Sequence, residues 1–455
     1  MEHALLQRNH RENRENHVNG ADSSEDGERH SGVYAVYILV LLLAINTFSY
    51  ADRFVFSILI PDIKEAFGAS DSTLGLLGGP AFMISFVLFT LPLARLGDRW
   101  SRRGVVAISA TVWSFASAAC GIVGSIAQMS IARVMVGVGE AGAMPSSQAM
   151  VSGLFSERRR STALGILSAA SQLGVVTGLA GGAAIAAIWG WKMAFIALSL
   201  PGIALGLLIW LTGPKQAPVT PAVTTGGDTS MWQSVKLFLG TPSLRNIALG
   251  VGIFNIFGYA GITWLPAYFT RSHGLTVLET GTWLGMGSAI GGVLGAVTSG
   301  MLVDKLRHRD EAWQLRIPAI GLFGSVPLLA AMFLLPGGAE VRFGNFHVPG
   351  VVMLLLLTSY LGALWTAPAY GAIARLIPAR ERAQAVGVFV VILNLIGSVL
   401  GPPLAGLASD ILTPMFAHDS MRYSLLSLTV LVFVGAIFAL FAARSFKADL
   451  ARAQG

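Results

Sequence analysis

The chain has 455 residues, of which 54% are hydrophobic and only 12% are charged, and its formal net charge is +7. A soluble domain carries about 25% charged residues, so this chain folded in water would expose more apolar surface than one core can bury. The composition therefore argues against a soluble enzyme, a nucleic-acid-binding protein and a disordered chain, and it predicts a membrane protein. The basic excess then follows from positively charged cytoplasmic loops. Cys120 is the single cysteine, which excludes an intramolecular disulfide.

The first segment, residues 1–32, is rich in Asn, Glu, Arg, His and Ser and is predicted to be a disordered cytoplasmic tail. It lacks the apolar run and cleavage site of a signal peptide. From Tyr34 onward the chain is a series of apolar runs near the roughly 20 residues that a helix needs to cross a bilayer. They predict twelve spans, numbered in chain order, at residues 34–60, 72–95, 104–125, 128–153, 161–187, 190–211, 244–270, 279–303, 316–336, 348–375, 383–409 and 422–444.

The longest link between spans divides the chain into two six-helix bundles, residues 33–211 and 244–445. This link, 212–243, is predicted to be a central cytoplasmic linker, and 446–455 a cytoplasmic C-terminal tail. The linker's later part, Met231 to Leu239, mixes apolar side chains with a lysine. It is either a helix on the membrane surface or a solvated connector.

Basic residues cluster in the loops that follow even-numbered spans. The loops that follow odd-numbered spans hold only Lys64, Lys192, Arg271, Arg342 and Arg422. The positive-inside rule therefore predicts that both termini and the even loops are cytoplasmic, in a multi-pass protein of the cell inner membrane.

The two halves of the chain repeat each other in sequence. Asn46, Phe48, Tyr50 and Ala51 of span 1 recur as Asn255, Phe257, Tyr259 and Ala260 of span 7, and the Asp98-Arg99 pair after span 2 recurs as Asp304-Lys305 after span 8. Pro145 and Gly165 likewise recur as Pro368 and Gly387. Two similar bundles that rock about a midplane site are the architecture of a transporter.

The loop after span 2 resembles the signature of the major facilitator superfamily, roughly G-x-L-A-D-R-x-G-R-K. The match is carried by Asp98, Arg99, Arg102 and Arg103, with Ala94 and Ser101 where the family usually has glycine, and the second copy keeps Gly300, Asp304 and Lys305. Within that superfamily the chain resembles the spinster group, through Tyr50-Ala51-Asp52-Arg53 and through Arg133 with Gly139-Glu140-Ala141. The resemblance implies an all-α fold of two pseudo-symmetric six-helix bundles and the transport of sphingolipid or lysolipid amphiphiles, in some members with proton coupling.

The same loop residues are predicted to form a conformational latch. Asp98 lies where arginines and helix ends can pair with it, and such contacts would hold the halves closed at the cytoplasmic end while the other end is open. The latch comprises Asp98, Arg99, Arg102, Arg103, Asp304 and Lys305. The alternative is that these residues only mark the cytoplasmic side.

Four charges, Asp52, Arg53, Arg133 and Glu140, fall inside predicted spans. A charge at a helix centre costs on the order of 3 kcal/mol, so each needs a partner or a wet cavity. At about 1.5 Å per residue, the depths allow Asp52 to pair with Arg133, and Arg53 with Glu140. The four residues are either a substrate and proton site or a permanent neutral network that packs span 1 on span 4.

The repeat favours the first interpretation, because the matching positions in the second half are uncharged: Gly261, Ile262, Leu356 and Ala363. The predicted site therefore has a charged wall, with Tyr50 beside it, and an aromatic and hydroxyl wall. The second wall comprises Asn255, Tyr259, Trp264, Tyr360, Trp365, Thr366 and Tyr370. An ionic head on one wall and an apolar body on the other describe an amphiphile's site.

All eight histidines lie in the tail or in predicted loops, so a proton carrier within the membrane must be a carboxylate. We predict that Glu140 alternates between a proton and an arginine partner, while Arg53 or Arg133 binds the anionic head. The sequence has no ATP-binding G-x-x-x-x-G-K-[ST] loop and no metal-binding motif, so the prediction is no cofactor, with a proton gradient as the driving force. The glycines of span 5 have two interpretations. They allow close packing of helices, or they resemble the glycine-rich signature of antiporters, in which Leu179 stands where proline is expected.

The sequence as a whole predicts a secondary active transporter, not an enzyme, that works as a monomer among membrane lipids. The substrate is expected to be a small amphiphilic anion or a lipid. Two alternatives remain: a proton-coupled exporter of drugs or small organic ions, and a non-transporting membrane receptor or scaffold.

Overall fold

The computed structural model describes residues 32–214, 231–343, 346–378 and 381–454. The predicted tail, apart from its last residue, and linker residues 215–230 lie outside this range, as do the basic residues Lys215 and Arg380. Within it the chain is almost entirely helical.

The first half consists of eleven helices, two of which are preceded by π-helical turns. The helices are α1 Gly32–Ile58, α2 Ile60–Phe67, α3 Asp71–Leu76, α4 Phe82–Arg99, α5 Arg102–Cys120, α6 Ile126–Glu140, α7 Ala143–Leu154, α8 Glu157–Ser168, α9 Ala170–Val176, α10 Gly182–Trp189 and α11 Trp191–Thr212. The π-helical turns are Leu77–Ala81, between α3 and α4, and Thr177–Gly181, between α9 and α10. Such turns often occur at functional positions.

The second half contains eight helices and one β-hairpin. The helices are α12 Met231–Gly240, α13 Pro242–His273, α14 Val277–Leu306, α15 Trp313–Leu334, α16 Gly350–Gly362, α17 Thr366–Leu376, α18 Arg382–Phe416 and α19 Ser420–Gln454. The strands β1 Glu340–Phe343 and β2 Phe346–Pro349 pair antiparallel, with Glu340 opposite Pro349. A 3-10 turn, Ala417–Asp419, joins α18 to α19.

Ten helical stretches of the described chain are long and apolar enough to cross a membrane. One of them, Gln384–Ala453, includes nearly all of both α18 and α19. Span 4 is not among the ten because a turn at 141–142 divides it into α6 and α7. Every predicted span thus corresponds to helix in the structure, and the number of membrane crossings stays a prediction.

The end of the linker and most of the predicted C-terminal tail are helices packed against the second bundle. The end of the linker forms α12, whose Phe238 is buried and lies 6.0 Å from Phe389 of α18, measured between ring centroids. Residues 446–454, expected to be a tail, continue α19. Asp449 is buried there and accepts a hydrogen bond of 2.7 Å from the backbone N–H of Ser243. The end of α19 thus supplies a carboxylate that satisfies a free N–H at the start of α13.

We call the two ends of the bundle the Asp71 end and the Asp98 end, after the acidic residues at the start of α3 and near the end of α4. The halves are joined by polar contacts at the Asp71 end, where Arg271 of α13 lies 2.9 Å from Asp71. At the Asp98 end, Asp98 pairs with Arg102 at 2.9 Å and Asp304 with Arg307 at 3.7 Å, each within its own half.

Candidate substrate and proton site

The first charged pair joins α1 to α6 and is almost closed to solvent. Arg133 Nη1 lies 3.1 Å from Asp52 Oδ2, and the hydroxyl of Ser117 on α5 donates to the other carboxylate oxygen. The side chains of Arg133 and Asp52 are only 1% and 4% exposed. The guanidinium also lies over Phe56, 4.7 Å from its ring centroid. Within this pair only Arg133 Nε is buried without a hydrogen-bond partner among the described residues, and a pair so enclosed by protein groups fits a structural role.

The second pair, Arg53 with Glu140, is accessible on one side. Arg53 Nε donates to Glu140 Oε2 at 2.7 Å, and the side chains are 24% and 0% exposed. The Arg53 guanidinium lies over the rings of Tyr50, Phe82 and Phe86, at 4.9, 4.8 and 4.8 Å from their centroids. We call these three rings the aromatic box. It holds Arg53 by cation-π attraction while part of the guanidinium still reaches solvent.

Glu140 uses only one of its two carboxylate oxygens. Oε1 is buried and has no hydrogen-bond partner among the described residues. A buried ionised carboxylate with an oxygen that lacks a donor is costly, and a proton bound at Oε1 would remove the charge. The structure therefore forms both pairs that the helix depths predict, and of the four charges it leaves Arg53 the most accessible to a ligand.

A cavity of about 360 Å³ lies mainly in the second half, where the repeat places the counterparts of the charged residues. Gly261, Ile262 and Ala363, which match Asp52, Arg53 and Glu140, all line it. From the first half it is lined by Phe54, Val175 and Leu179. Its lining is apolar except for the hydroxyls of Ser288, Ser325, Thr358, Ser359 and Thr366. The repeat has thus produced a charge cluster in one half and an apolar cavity in the other.

The predicted uncharged wall is only partly at this cavity. Trp365 and Thr366 line it. Tyr259 belongs to the second half but packs against the apolar cluster of the first half that contains Phe82, and its hydroxyl donates to Asn394 at 2.6 Å. Tyr370 lies 5.7 Å from Phe389, between ring centroids.

Three further predicted residues lie off the cavity wall. Asn255 is half-buried beside Gly258. The hydroxyl of Tyr360 accepts a hydrogen bond from Thr298 on α14 at 3.1 Å. Trp264 is fully buried, and its indole N–H donates to the carbonyl of Pro402 at 2.9 Å. We therefore reassign Trp264 to the packing of α13 on α18, since helical rise gives a residue's depth but not the face on which it lies.

The latch residues of the first half form no hydrogen bond or ion pair with those of the second half in the described structure. Asp98 accepts from Arg102, and Arg103 donates to the carbonyl of Gly213 at 3.0 Å. Arg99 and Lys305 form no ion pair within the described ranges. Their role as a latch stays a prediction for the opposite conformation.

A polar network at the Asp71 end is the main feature that the sequence did not predict. Asp71 is bound by Lys64 at 2.6 Å, by Arg271 at 2.9 and 3.1 Å, and by Ser409 at 2.7 Å. Asp410 of α18 in turn accepts from the backbone N–H groups of Asp71 and Ser72, at 3.0 and 2.8 Å. We call this the Asp71 network. Its only sequence signal is that Lys64 and Arg271 are basic residues in loops that otherwise lack them.

Close backbone contacts between the halves accompany this network. A Cβ added at Gly79, in the first π-helical turn, would overlap the carbonyl oxygen of Ser398 on α18. A Cβ at Gly281 of α14 would overlap the carbonyl oxygen of Leu179, in the second π-helical turn. Each π-helical turn of the first half thus touches the second half where only glycine leaves room.

Known proteins resemble this chain over most of its length. The sequence profile of the Major Facilitator Superfamily matches residues 42–402. An "MFS-type efflux pump" of Mycolicibacterium smegmatis is 31% identical over 410 residues, which are 89% of this chain and 92% of that protein. Human "Protein spinster homolog 1" is 26% identical over 428 residues, 88% of this chain and 78% of the relative.

The fold also matches a solved structure. The crystal structure of a bacterial homolog of the human lysosomal transporter spinster, inward-facing and unoccupied, has a TM-score of 0.81 and 24% sequence identity, and it covers 91% of this chain and 98% of that one. The chain is therefore a multi-pass membrane protein that belongs to the major facilitator superfamily, a transporter rather than an enzyme.

Proposed function

We propose that the protein moves an amphiphilic organic anion, of the lysolipid or sphingolipid type, across the inner membrane by proton-coupled alternating access. The observation that carries this proposal is the division between the halves. Arg53 is a partly exposed cation in one half, and an apolar cavity of about 360 Å³ lies mainly in the other. Phe54, which follows Arg53 in the chain, lines that cavity.

The anionic head of the substrate binds Arg53. The terminal nitrogens of this guanidinium form no hydrogen bond within the described part of the chain, since Glu140 engages only Nε. A guanidinium with two free terminal groups binds a phosphate or carboxylate in a bidentate manner. The apolar body of the substrate fills the cavity and contributes about 0.8 kcal/mol per buried methylene group.

Glu140 carries the proton. When a proton binds Oε1, the negative charge opposite Arg53 disappears and the guanidinium becomes free to bind the substrate anion. Proton and anion therefore bind together more strongly than either does alone, and this coupling is reciprocal. Asp52 and Arg133 remain paired throughout and fix α1 on α6.

Orientation follows from the distribution of basic loops, which places the Asp98 end in the cytoplasm. In the conformation described here the Asp71 network then closes the outer end. When that network breaks, the halves rock, and Asp98 and Asp304 latch the inner end.

A second function in the same class, export of drugs or small organic ions, is favoured by the 31% identity to the mycobacterial efflux pump. Binding assays separate the two. A ligand raises the unfolding temperature of the protein that it binds, so single-chain lysophospholipids should stabilise the purified protein more than small hydrophilic anions. The reverse order would reject the lipid substrate and favour the exporter.

Transport in proteoliposomes tests the coupling. Uptake of a labelled lysophospholipid should depend on a pH gradient in the wild type, and Glu140→Gln should lose that dependence. Glu157→Gln is the matched control, because Glu157 is an acidic residue in the first turn of α8, outside the charged site. Gradient-dependent uptake in Glu140→Gln would remove Glu140 from the mechanism. Absence of any transport, with intact binding, would favour a receptor.

A further inference from the structure

A groove of about 670 Å³ lies at the Asp98 end of the second half, away from the candidate substrate site. It is formed by the residues that follow α14 and by the last turns of α19. Its lining is Arg307, His308, Arg309, Asp310, Glu311, Lys447, Leu450 and Ala451. Basic side chains therefore outnumber acidic ones within it.

The two acidic residues of the groove are already engaged by the protein. Asp310 lies 2.9 Å from both Arg316 and Lys447 and accepts the backbone N–H of Ala312. Glu311 lies 2.6 Å from Arg375. The hydrogen bond from Ala312 and the one from Lys447 hold the pKa of Asp310 below its ordinary value, so this carboxylate stays ionised and bound. Neither acid forms an ion pair with Arg307 or Arg309 in the described structure, although Glu311 attracts Arg307 and His308 at longer range.

Two arginines of the groove, Arg307 and Arg309, have no acidic partner within hydrogen-bond distance in the described structure. Arg309 is exposed and forms no ion pair with any described residue, and Arg307 has only a long pair of 3.7 Å with Asp304. His308 is exposed between them. Side chains of this kind, at the end of a membrane helix, bind the phosphate of an anionic headgroup.

An apolar strip leads from the membrane to this groove. Leu294, Val297 and Met301 of α14 are exposed and follow one another at intervals of three and four residues, so they lie on one face of the helix. From Met301 to Arg307 the chain rises about 9 Å along the helix axis. The groove therefore begins about 9 Å beyond the end of the strip along the axis of α14, a separation in depth that a single phospholipid can span.

We propose that the groove binds the phosphate of an anionic phospholipid whose acyl chains lie along this strip of α14. The site does not depend on the identity of the transported substrate. A soluble phosphate compound would satisfy the arginines but leave the strip uncovered. A zwitterionic lipid would cover the strip, but its positive group would oppose the arginines.

Native mass spectrometry of the full-length protein with added lipid tests the proposal. Phosphatidylglycerol should bind about tenfold more tightly than phosphatidylcholine with the same chains, and Arg307→Gln/Arg309→Gln should abolish that preference. The matched control is Arg158→Gln/Arg159→Gln, two exposed arginines of α8 in the other half. This control should retain the preference.

Three results would overturn the proposal. One is an unchanged preference in the double variant, and another is loss of the preference in the α8 control. The third is displacement of phosphatidylglycerol by glycerol 3-phosphate at equal concentration, which would indicate a site for a soluble anion. If the double variant unfolds, Arg309→Gln alone replaces it, because Arg309 has no partner in the described structure to lose, and it should weaken phosphatidylglycerol binding several-fold.

Discussion

Asp71→Asn is expected to open the Asp71 end of the transporter. Asp71 accepts three hydrogen bonds from the second half, two from Arg271 and one from Ser409, and it also binds Lys64 of its own half. The substitution removes the negative charge that attracts both Arg271 and Lys64, while the amide oxygen of asparagine can still accept a hydrogen bond. This shifts the equilibrium between the conformations without removing a residue from the core.

The size of the shift follows from these bonds. A hydrogen bond to a charged group contributes about 1.5–3 kcal/mol, and two such bonds to Arg271 are weakened. Asparagine still accepts one bond, and solvent screens the partly exposed Arg271, so a net loss of about 2 kcal/mol is reasonable. That loss changes the ratio of closed to open Asp71 end by about 30-fold.

Distances between spin labels measure this ratio. Exposed residues Glu65 on α2 and Met415 on α18 lie on opposite halves at the Asp71 end and accept labels once Cys120 is replaced by alanine. We expect a longer distance to become dominant in Asp71→Asn. Asp62→Asn is the control. Asp62 is an acidic residue of α2 at the same end of the bundle, but it forms no ion pair within the part of the chain that the structure describes. Identical distance distributions for wild type and Asp71→Asn would refute this reasoning.

Three other substitutions test separate parts of the structure. Gly79→Ala should also lengthen the distance between the labels, because the added Cβ would overlap the carbonyl oxygen of Ser398. Gly165→Ala is the control and should leave the distance unchanged, because a Cβ there meets no other atom. Equal distances in the two variants would contradict the glycine contact. Asp52→Asn should lower stability by about 3–5 kcal/mol in thermal or denaturant unfolding, because it leaves Arg133 buried without a counterion; a loss below 1 kcal/mol would reject the structural pair. Arg53→Gln should remove stabilisation by an anionic lysolipid but not by an uncharged amphiphile of the same chain length, and equal loss of both would show that Arg53 does not bind the head.

The bundle architecture and the charged pairs could be predicted because both depend on position along a helix. Apolar runs give span lengths, and the rise per residue gives the depths at which Asp52 meets Arg133 and Arg53 meets Glu140. The fold class and the membership of the major facilitator superfamily are confirmed by the comparisons.

The remaining features depend on contacts that no local pattern contains. Trp264 lies at a depth along α13 like that of the cavity residues, but the residue to which it donates a hydrogen bond, Pro402, is 138 positions further along the sequence. The bond between the Ser72 N–H and Asp410 likewise joins residues 338 positions apart in different halves. The π-helical turns have no sequence pattern of their own, so their place at the contact between the halves was not predicted.

At each glycine contact between the halves, the two contacting residues differ in which amino acids the contact allows. At each contact one side supplies a missing side chain and the other a backbone carbonyl, which every amino acid possesses. Ser398 and Leu179 can therefore be exchanged for residues of other types without loss of the contact oxygen, while Gly79 and Gly281 cannot. Substitutions at Gly79 and Gly281 should therefore break the contact itself, whereas substitutions at the buried residues Ser398 and Leu179 should act only through the packing of their side chains, so compensating pairs of substitutions across a contact should be rare.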